Sequence, residues 1–326
     1  MRAIVITQPG DESVLRIGQV AAPEPAAGEV LIDVHATAVN RADLLQRQGL
    51  YPPPRGASEI LGLECAGRVA RVGEGVRDFH AGDRVMALLP GGGYAEQVVV
   101  DAGSVIRIPD TLPYEEAGAM PEVFLTAFLN LFLLGRPPEE GSVLVHGGGS
   151  GVGTAATILC REAKLRCFVT AGSWEKCDRS IQLGATAAFN YHEEDFAEAV
   201  RRETGGHGVN VILDHVGGSY LSRNVASLAV EGKLVIIGGM GGRKGELDLS
   251  LLLSRRLHVM GSTLRSRSKT EKASIVSAFV ERFGATLQDG RLRPEIYRVM
   301  PLEQAAEAHR MMQRSEHFGK IALRVR

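Results

Sequence analysis

The chain has 326 residues, enough for two domains with cores of ordinary size. Lysine and arginine total 37 against 38 aspartates and glutamates, and this net charge of −1 argues against dedicated nucleic-acid binding. Hydrophobic residues at 44% and charged residues at 23% exclude wholesale disorder. Cys65, Cys160, Cys167 and Cys177 contain no C-x-x-C pair, so they write neither a redox dithiol nor a paired-cysteine zinc site. No stretch approaches the ~18 apolar residues that span a bilayer. The expectation is a cytoplasmic chain with no membrane partner.

Met1–Thr7 reads as a first strand, ended by Gln8-Pro9-Gly10. Partly alternating runs at Gly28–Ala36, Gly67–Gly73, Asp83–Leu88 and Ala95–Val100 follow, separated by glycine-rich turns. Short strands at such spacing predict a compact β-rich barrel or sandwich. Tyr51-Pro52-Pro53-Pro54 interrupts them as an ordered surface loop, because three prolines remove donors and fix φ. From Tyr114 to Leu134 the pattern is helical and apolar, divided by Pro121. Short apolar strands then alternate with helices: Ser142–His146, Leu165–Thr170, Ala187–Phe189, Val209–Asp214, Lys233–Ile237 and Leu257–Met260, with an alanine-rich helix at Gly151–Lys164. Six strands in that rhythm predict an α/β fold with a doubly wound parallel sheet. A helix at Lys272–Phe283 and a last strand at Lys320–Val325 are expected to return to the first domain. The expected division is 1–120 with 266–326, and 121–265.

The strongest local signal is Val143-Leu144-Val145-His146 followed by Gly147-Gly148-Gly149-Ser150-Gly151-Val152-Gly153, after a predicted strand and opening a predicted helix. This is the context of a dinucleotide fingerprint, with Ser150 where the second glycine of G-x-G-x-x-G stands. Backbone N–H groups and the positive helix end there suit a pyrophosphate. The next strand runs into Ala171-Gly172-Ser173 and carries no acid at its tip. Lys176 and Arg179 add positive charge instead, a pattern that suits a 2′-phosphate, hence NADPH, over a free ribose hydroxyl.

These residues resemble the medium-chain dehydrogenase/reductase superfamily and, within it, the zinc-free quinone oxidoreductases. The resemblance runs the whole chain and includes the closing Gly319-Lys320-Ile321-Ala322-Leu323. Val39-Asn40-Arg41-Ala42-Asp43-Leu44, Ile60–Glu64, Met86–Gly93 and Ser150–Ala156 are similar to the tumour-suppressor-inducible branch of those reductases. The resemblance implies a GroES-like catalytic domain beside a Rossmann domain, with NADPH in an interdomain cleft and a homodimer. It implies Gly172, Ser173, Lys176 and Tyr191 at the 2′-phosphate, and Asn40, Asp43, Tyr51 and Thr126 at the nicotinamide and substrate end. Ser150, Gly151, Val152, Gly153, Gly238, Met240, Ser262, Leu264 and Lys320 are implied along the cofactor. Zinc-dependent relatives have cysteine where this chain has Asn40 and histidine where it has Leu63, and no cysteine lies between Cys65 and Cys160 to form their structural lobe. No metal is therefore expected.

The implied activity is metal-free reduction of small quinones, ortho-quinones foremost, with Tyr51 and Asn40 as candidate donors to the acceptor oxygen. Asp43 is expected to orient its neighbours, and His146 to be a satisfied core imidazole. An NADPH-dependent enone or enoyl-thioester reductase is the rival enzyme, with Arg255-Arg256 and Arg265–Lys269 as a possible basic patch. A non-catalytic NADPH- or RNA-binding protein is the rival of another class.

Overall fold

The computed structural model describes all residues from Met1 to Arg326. They divide into two compact units, Met1–Leu125 with Leu264–Arg326, and Thr126–Thr263.

The first unit opens with an antiparallel pair, β1 (Arg2–Ile6) and β2 (Leu15–Gln19). β3 (Glu29–Ala38), helix α1 (Arg41–Arg47), β4 (Glu64–Val72), β5 (Arg84–Leu88), β6 (Gln97–Asp101) and β7 (Val105–Arg107) follow. Helix α2 (Tyr114–Ala117) precedes α3 (Pro121–Phe128), within which the chain passes to the second unit. Proline at the first position of α3 matches its missing donor to a helix start. The long helical stretch expected at 114–134 is thus broken before Pro121, and after Phe128 it widens into a π-type segment, Leu129–Gly135.

The second unit carries β8 (Ser142–His146), α4 (Gly151–Glu162), β9 (Arg166–Ala171), α5 (Trp174–Leu183), β10 (Ala187–Asn190), α6 (Phe196–Glu203), β11 (Val209–Asp214), α7 (Leu221–Ser227), β12 (Leu228–Ile236), α8 (Leu249–Ser254) and β13 (His258–Gly261). The chain then returns to the first unit through α9 (Lys269–Gln288), β14 (Ile296–Pro301), α10 (Ala305–Gln313) and β15 (Lys320–Arg324). Sequence periodicity missed α1, β2, β7, β14 and α10.

In the second unit the strand order is β10-β9-β8-β11-β12-β13, with every neighbouring pair parallel. This is the doubly wound dinucleotide-binding order, with its switch point between β8 and β11. Every residue of β8 is buried, as a central strand covered on both faces requires. Phe168 and Phe189 stack with centroids 6.2 Å apart in a core completed by Phe196, Ile212 and Leu234.

The first unit is a seven-stranded sheet in the order β14-β15-β3-β4-β5-β7, with β6 also paired to β3. All its pairs are antiparallel except β14 with β15. The C-terminal strand β15 lies against β3, Leu323 opposite Thr37, so the tail completes the sheet begun by the N-terminal half. Val30, Ile32, Val34, Cys65, Val85, Ile321 and Leu323 fill its core.

Gly153 shows how tightly the strand–turn–helix corner is closed. A Cβ there would stand 2.2 Å from the Gly147 carbonyl oxygen. Replacement by alanine is expected to force the turn away from α4 and lower unfolding free energy by about 1–3 kcal/mol in urea titrations.

Candidate active site

The carboxyl ends of the parallel strands gather most of the residues expected to hold a cofactor. At the end of β8 the Ser150 hydroxyl caps α4 by accepting the Gly153 N–H at 3.0 Å. The N–H groups of Gly151 and Val152 in that first turn lie ahead of the helix's own ladder, so they can meet an anion. At the end of β9 Ser173 caps α5, accepting the Lys176 N–H at 3.3 Å. β10 runs beside β9, Asn190 opposite Ala171, which carries Tyr191 over the turn. A Cβ on Gly172 would lie 2.6 Å from the Tyr191 hydroxyl and 3.7 Å from His192 Nε2. Gly172, Ser173, Lys176 and Tyr191 are therefore brought together. His192, whose ring centroid is 4.5 Å from that of Tyr191, joins them without a motif to announce it. Burial and the nearby Arg179 lower the Lys176 ammonium, while Glu175 opposes them.

Further along the same edge, Gly238 and Met240 follow β12, and the Met240 N–H bonds the His215 carbonyl at 3.2 Å. Ser262 follows β13; its hydroxyl is buried and without a partner. Thr126 opens the unit, and its carbonyl accepts from Asn130 Nδ2 at 2.7 Å. Leu264, by contrast, lies in the first unit as a buried apolar side chain.

His146 is a satisfied core residue. Nδ1 accepts from the Thr170 hydroxyl at 3.0 Å, and Nε2 donates to Asn224 Oδ1 at 2.6 Å. Asn224 in turn donates to Asp214 Oδ2 at 3.0 Å. Burial drives the imidazole down to about 3, so it is neutral and braces the glycine turn.

The first unit holds a second polar cluster, built around a lysine. Lys320 of β15 is buried, and its three N–H donors reach Glu64 Oε1 at 2.8 Å, Asn40 Oδ1 at 2.7 Å and Val39 O at 2.9 Å. Asn40 Nδ2 donates to the same Glu64 oxygen at 2.8 Å. The other Glu64 oxygen accepts the Glu122 N–H at 2.9 Å. Lys320, expected along the cofactor, has all three donors engaged within the first unit, placed there because β15 pairs with β3 just before Val39 and Asn40. Asn40 is correspondingly a fixed member of this ion pair: its amide oxygen and one N–H are committed, and only a 3.4 Å contact to Ala38 O engages the other.

Asp43 lies beside it. Its carboxylate accepts the N–H groups of Asn40 at 2.8 Å and Gly62 at 3.0 Å, joining the start of α1 to the turn before β4. A relay of donors also ends on it. Arg47 donates to His309 Nδ1 at 3.3 Å, His309 Nε2 to the Tyr94 hydroxyl at 3.1 Å, and Tyr94 to Asp43 Oδ2 at 3.4 Å. Burial lifts Asp43 to about 6 against these bonds. The same burial lowers His309 to about 3, with Arg47 adding to it. Asp43 is thus buried, with both carboxylate oxygens engaged by its neighbours.

Tyr51 is held by its ring and main chain. The Arg265 guanidinium stands 5.4 Å from the ring centroid and donates to the Tyr51 carbonyl at 3.5 Å, to Pro90 O at 2.8 Å and to Gln46 Oε1 at 2.6 Å. Burial and the nearby Glu122 raise the phenol. Of the residues expected to form a basic patch, Arg265 is buried and Arg267 pairs with Glu271, while Arg256, paired with Glu231, and Lys269, paired with Glu29, stay exposed.

Comparison with known proteins decides the family. The sequence profile of the alcohol dehydrogenase GroES-like domain matches residues 26–110, and that of the zinc-binding dehydrogenases matches residues 183–323. Rattus norvegicus quinone oxidoreductase is 32% identical over 326 residues, covering 99% of this chain and 97% of that protein. The chain belongs to the medium-chain dehydrogenase/reductase superfamily, among its quinone-oxidoreductase-like members. It is an oxidoreductase enzyme. The human synaptic vesicle membrane protein VAT-1 homolog is also similar, 32% identical across 99% of this chain and 86% of its own length. The Escherichia coli quinone oxidoreductase structure complexed with NADPH superposes with a TM-score of 0.86 at 27% identity, covering all of both chains. No helix of the chain is long and apolar enough to cross a membrane.

Although one matching profile is named for zinc, the donor set does not fit that metal. Leu63 is a buried hydrocarbon, Asn40 Oδ1 serves Lys320, and both oxygens of Glu64 are engaged. A dinucleotide, in contrast, fits the second unit: close-packed glycines, uncommitted helix-terminal donors and the orphaned Ser262 hydroxyl all lie at the strand ends.

Replacing Lys320 with methionine leaves Glu64 buried without its cation, and denaturant unfolding is expected to show a loss of about 3–5 kcal/mol. The double substitution K320M with E64Q should recover a large part of it. His146 and His309 make a separate prediction. Both are held well below the usual imidazole value of 6.5, so the unfolded chain takes up protons first as pH falls. The stability these two imidazoles contribute is constant above pH 6.5 and is lost as the pH drops toward 3, so the difference in urea midpoint between the native chain and H309Q should change over that range and stay constant above it.

Proposed function

We propose that this enzyme reduces small quinones, ortho-quinones foremost, with NADPH as hydride donor and without a metal. The observation that carries the cofactor preference is the tip of β9. A carboxylate there would repel a 2′-phosphate, and this chain offers Gly172 and Ser173 instead, with Lys176, Tyr191 and His192 gathered around them. The Ser173 hydroxyl keeps its own hydrogen to donate, since its oxygen already accepts from Lys176. The Ser150 cap presents Gly151 and Val152 to the pyrophosphate.

Bound NADPH would supply the hydride; the protein's part is to position, to exclude water and to handle the proton. Tyr51, anchored through Arg265, offers its hydroxyl to the acceptor oxygen. The saturated Lys320–Glu64–Asn40 group holds the neighbouring wall rigid. A quinone suits this equipment because it accepts hydride without a Lewis acid. Two copies are proposed to pair along β13, the free edge of the six-stranded sheet, where Val259 is exposed.

Initial rates with an ortho-quinone in the presence of chelator test the reading. NADPH is expected to outperform NADH, and K176A with S173D should reverse or erase the preference by raising KM for NADPH at least 10-fold, the effect of about 1.4 kcal/mol. Equal use of both cofactors by the native enzyme would refute the assignment at β9. Turnover of enones with none of quinones would shift the substrate class to the rival reductase.

A further inference from the structure

At the start of α3 the first unit holds a carboxyl group that nothing pairs. Glu122 is fixed by its own backbone, whose N–H donates to Glu64 Oε2 at 2.9 Å. Its side-chain Oε2 is buried and without a hydrogen-bond partner. The cations that face it are committed elsewhere. Lys320 of β15 has given its three donors to Glu64, Asn40 and Val39. Arg265 bonds Pro90, Tyr51 and Gln46, and Lys272 of α9 donates to the Arg265 carbonyl at 2.7 Å. From the remaining elements Glu64 of β4 and Asp43 of α1 add negative charge, and Tyr51 of the proline loop is neutral. Glu122 as a whole is half-buried, but an oxygen shut away without a donor is costly on a carboxylate, whereas the protonated acid supplies its own O–H. Burial and Glu64 accordingly push this carboxyl up to about 8, against the pull of Lys320 and Arg265.

We propose that Glu122 is a further catalytic residue, a neutral carboxylic acid stored beside Tyr51 that gives its proton to the acceptor oxygen. The proposal rests on the quinone-reductase reading above. Hydride brings two electrons and one hydrogen to the quinone, leaving a hydroquinone anion. The Glu122 O–H bond breaks, a new O–H bond forms on that product oxygen, and the carboxylate regains a proton from solvent before the next turnover. Tyr51 orients the acceptor oxygen; Glu122 holds the proton.

Infrared titration of the native enzyme, E122Q and E122D, set beside their pH–rate profiles with NADPH and an ortho-quinone, tests this. The native protein should show a protonated-carboxyl C=O band at pH 7 that fades as the pH passes about 8. E122Q should lack the band, and E122D should shift it. Native kcat should fall over the same pH range, and E122Q should lose that limb together with about 10²-fold in kcat. Its NADPH dissociation constant, read by fluorescence titration, should stay unchanged, and E122D should restore part of the rate. A native enzyme without the band at pH 7, or an E122Q enzyme with native kcat and native pH limb, overturns the proposal. If E122Q does not fold, the shifted band in E122D decides the site of the proton. A native enzyme that binds NADPH yet reduces no quinone overturns the functional reading instead, and the infrared titration still reports whether Glu122 holds the proton.

Discussion

The buried ion pair between Lys320 and Glu64 is the constraint around which the first unit is arranged. An ammonium in an apolar interior must find a full set of acceptors, and here these come from β3, the start of α1 and β4 at once. That requirement ties the last strand of the chain to its first half. It also fixes Asn40, and through Asn40 the position of Asp43 and the turn at Gly62. The cost of burying a charge is thereby offset by the registration of four segments that are far apart in sequence.

The same saturation settles what neighbouring groups can do. Burial and the neighbouring Glu64 push Glu122 up, and Lys320, whose donors are all committed, gives it no hydrogen bond to offset them. Asp43 accepts from two backbone N–H groups and from Tyr94, and so ties the start of α1 to the turn at Gly62. Two carboxyl groups near each other are thus given different environments by their hydrogen-bond partners.

The second unit works by a different principle. Parallel strands end together, so residues separated by many positions meet at one edge of the sheet. Gly172 and Tyr191 approach each other only because β10 lies beside β9 in register. His146 is neutral for a related reason: its position at the end of β8 places it among Thr170, Asn224 and two aromatic rings, where charge would go unsolvated.

Much of this was legible in the linear sequence. Continuous apolar runs such as Ser142–His146 and Val209–Asp214 gave the buried parallel strands at their observed bounds, because a strand covered on both faces admits no polar alternation. The fingerprint at Gly147–Gly153 and the missing acid after Ala171 were local chemical signals. Helix α10 and strand β14 were not, since their amphipathic patterns are short and depend on the sheet they pack against. Nor could sequence place Lys320, which looks like any charged residue before an apolar strand. Its role is set by burial, and burial is a property of the assembled sheet. The alternation of strand and helix in the second unit and the dinucleotide turn were therefore determined by sequence alone, because they arise from near neighbours. The pairing of Lys320 with Glu64, the approach of His192 to Tyr191 and the isolation of Glu122 were decided only by the tertiary structure, because each depends on which distant groups share the interior and how many hydrogen bonds they have left.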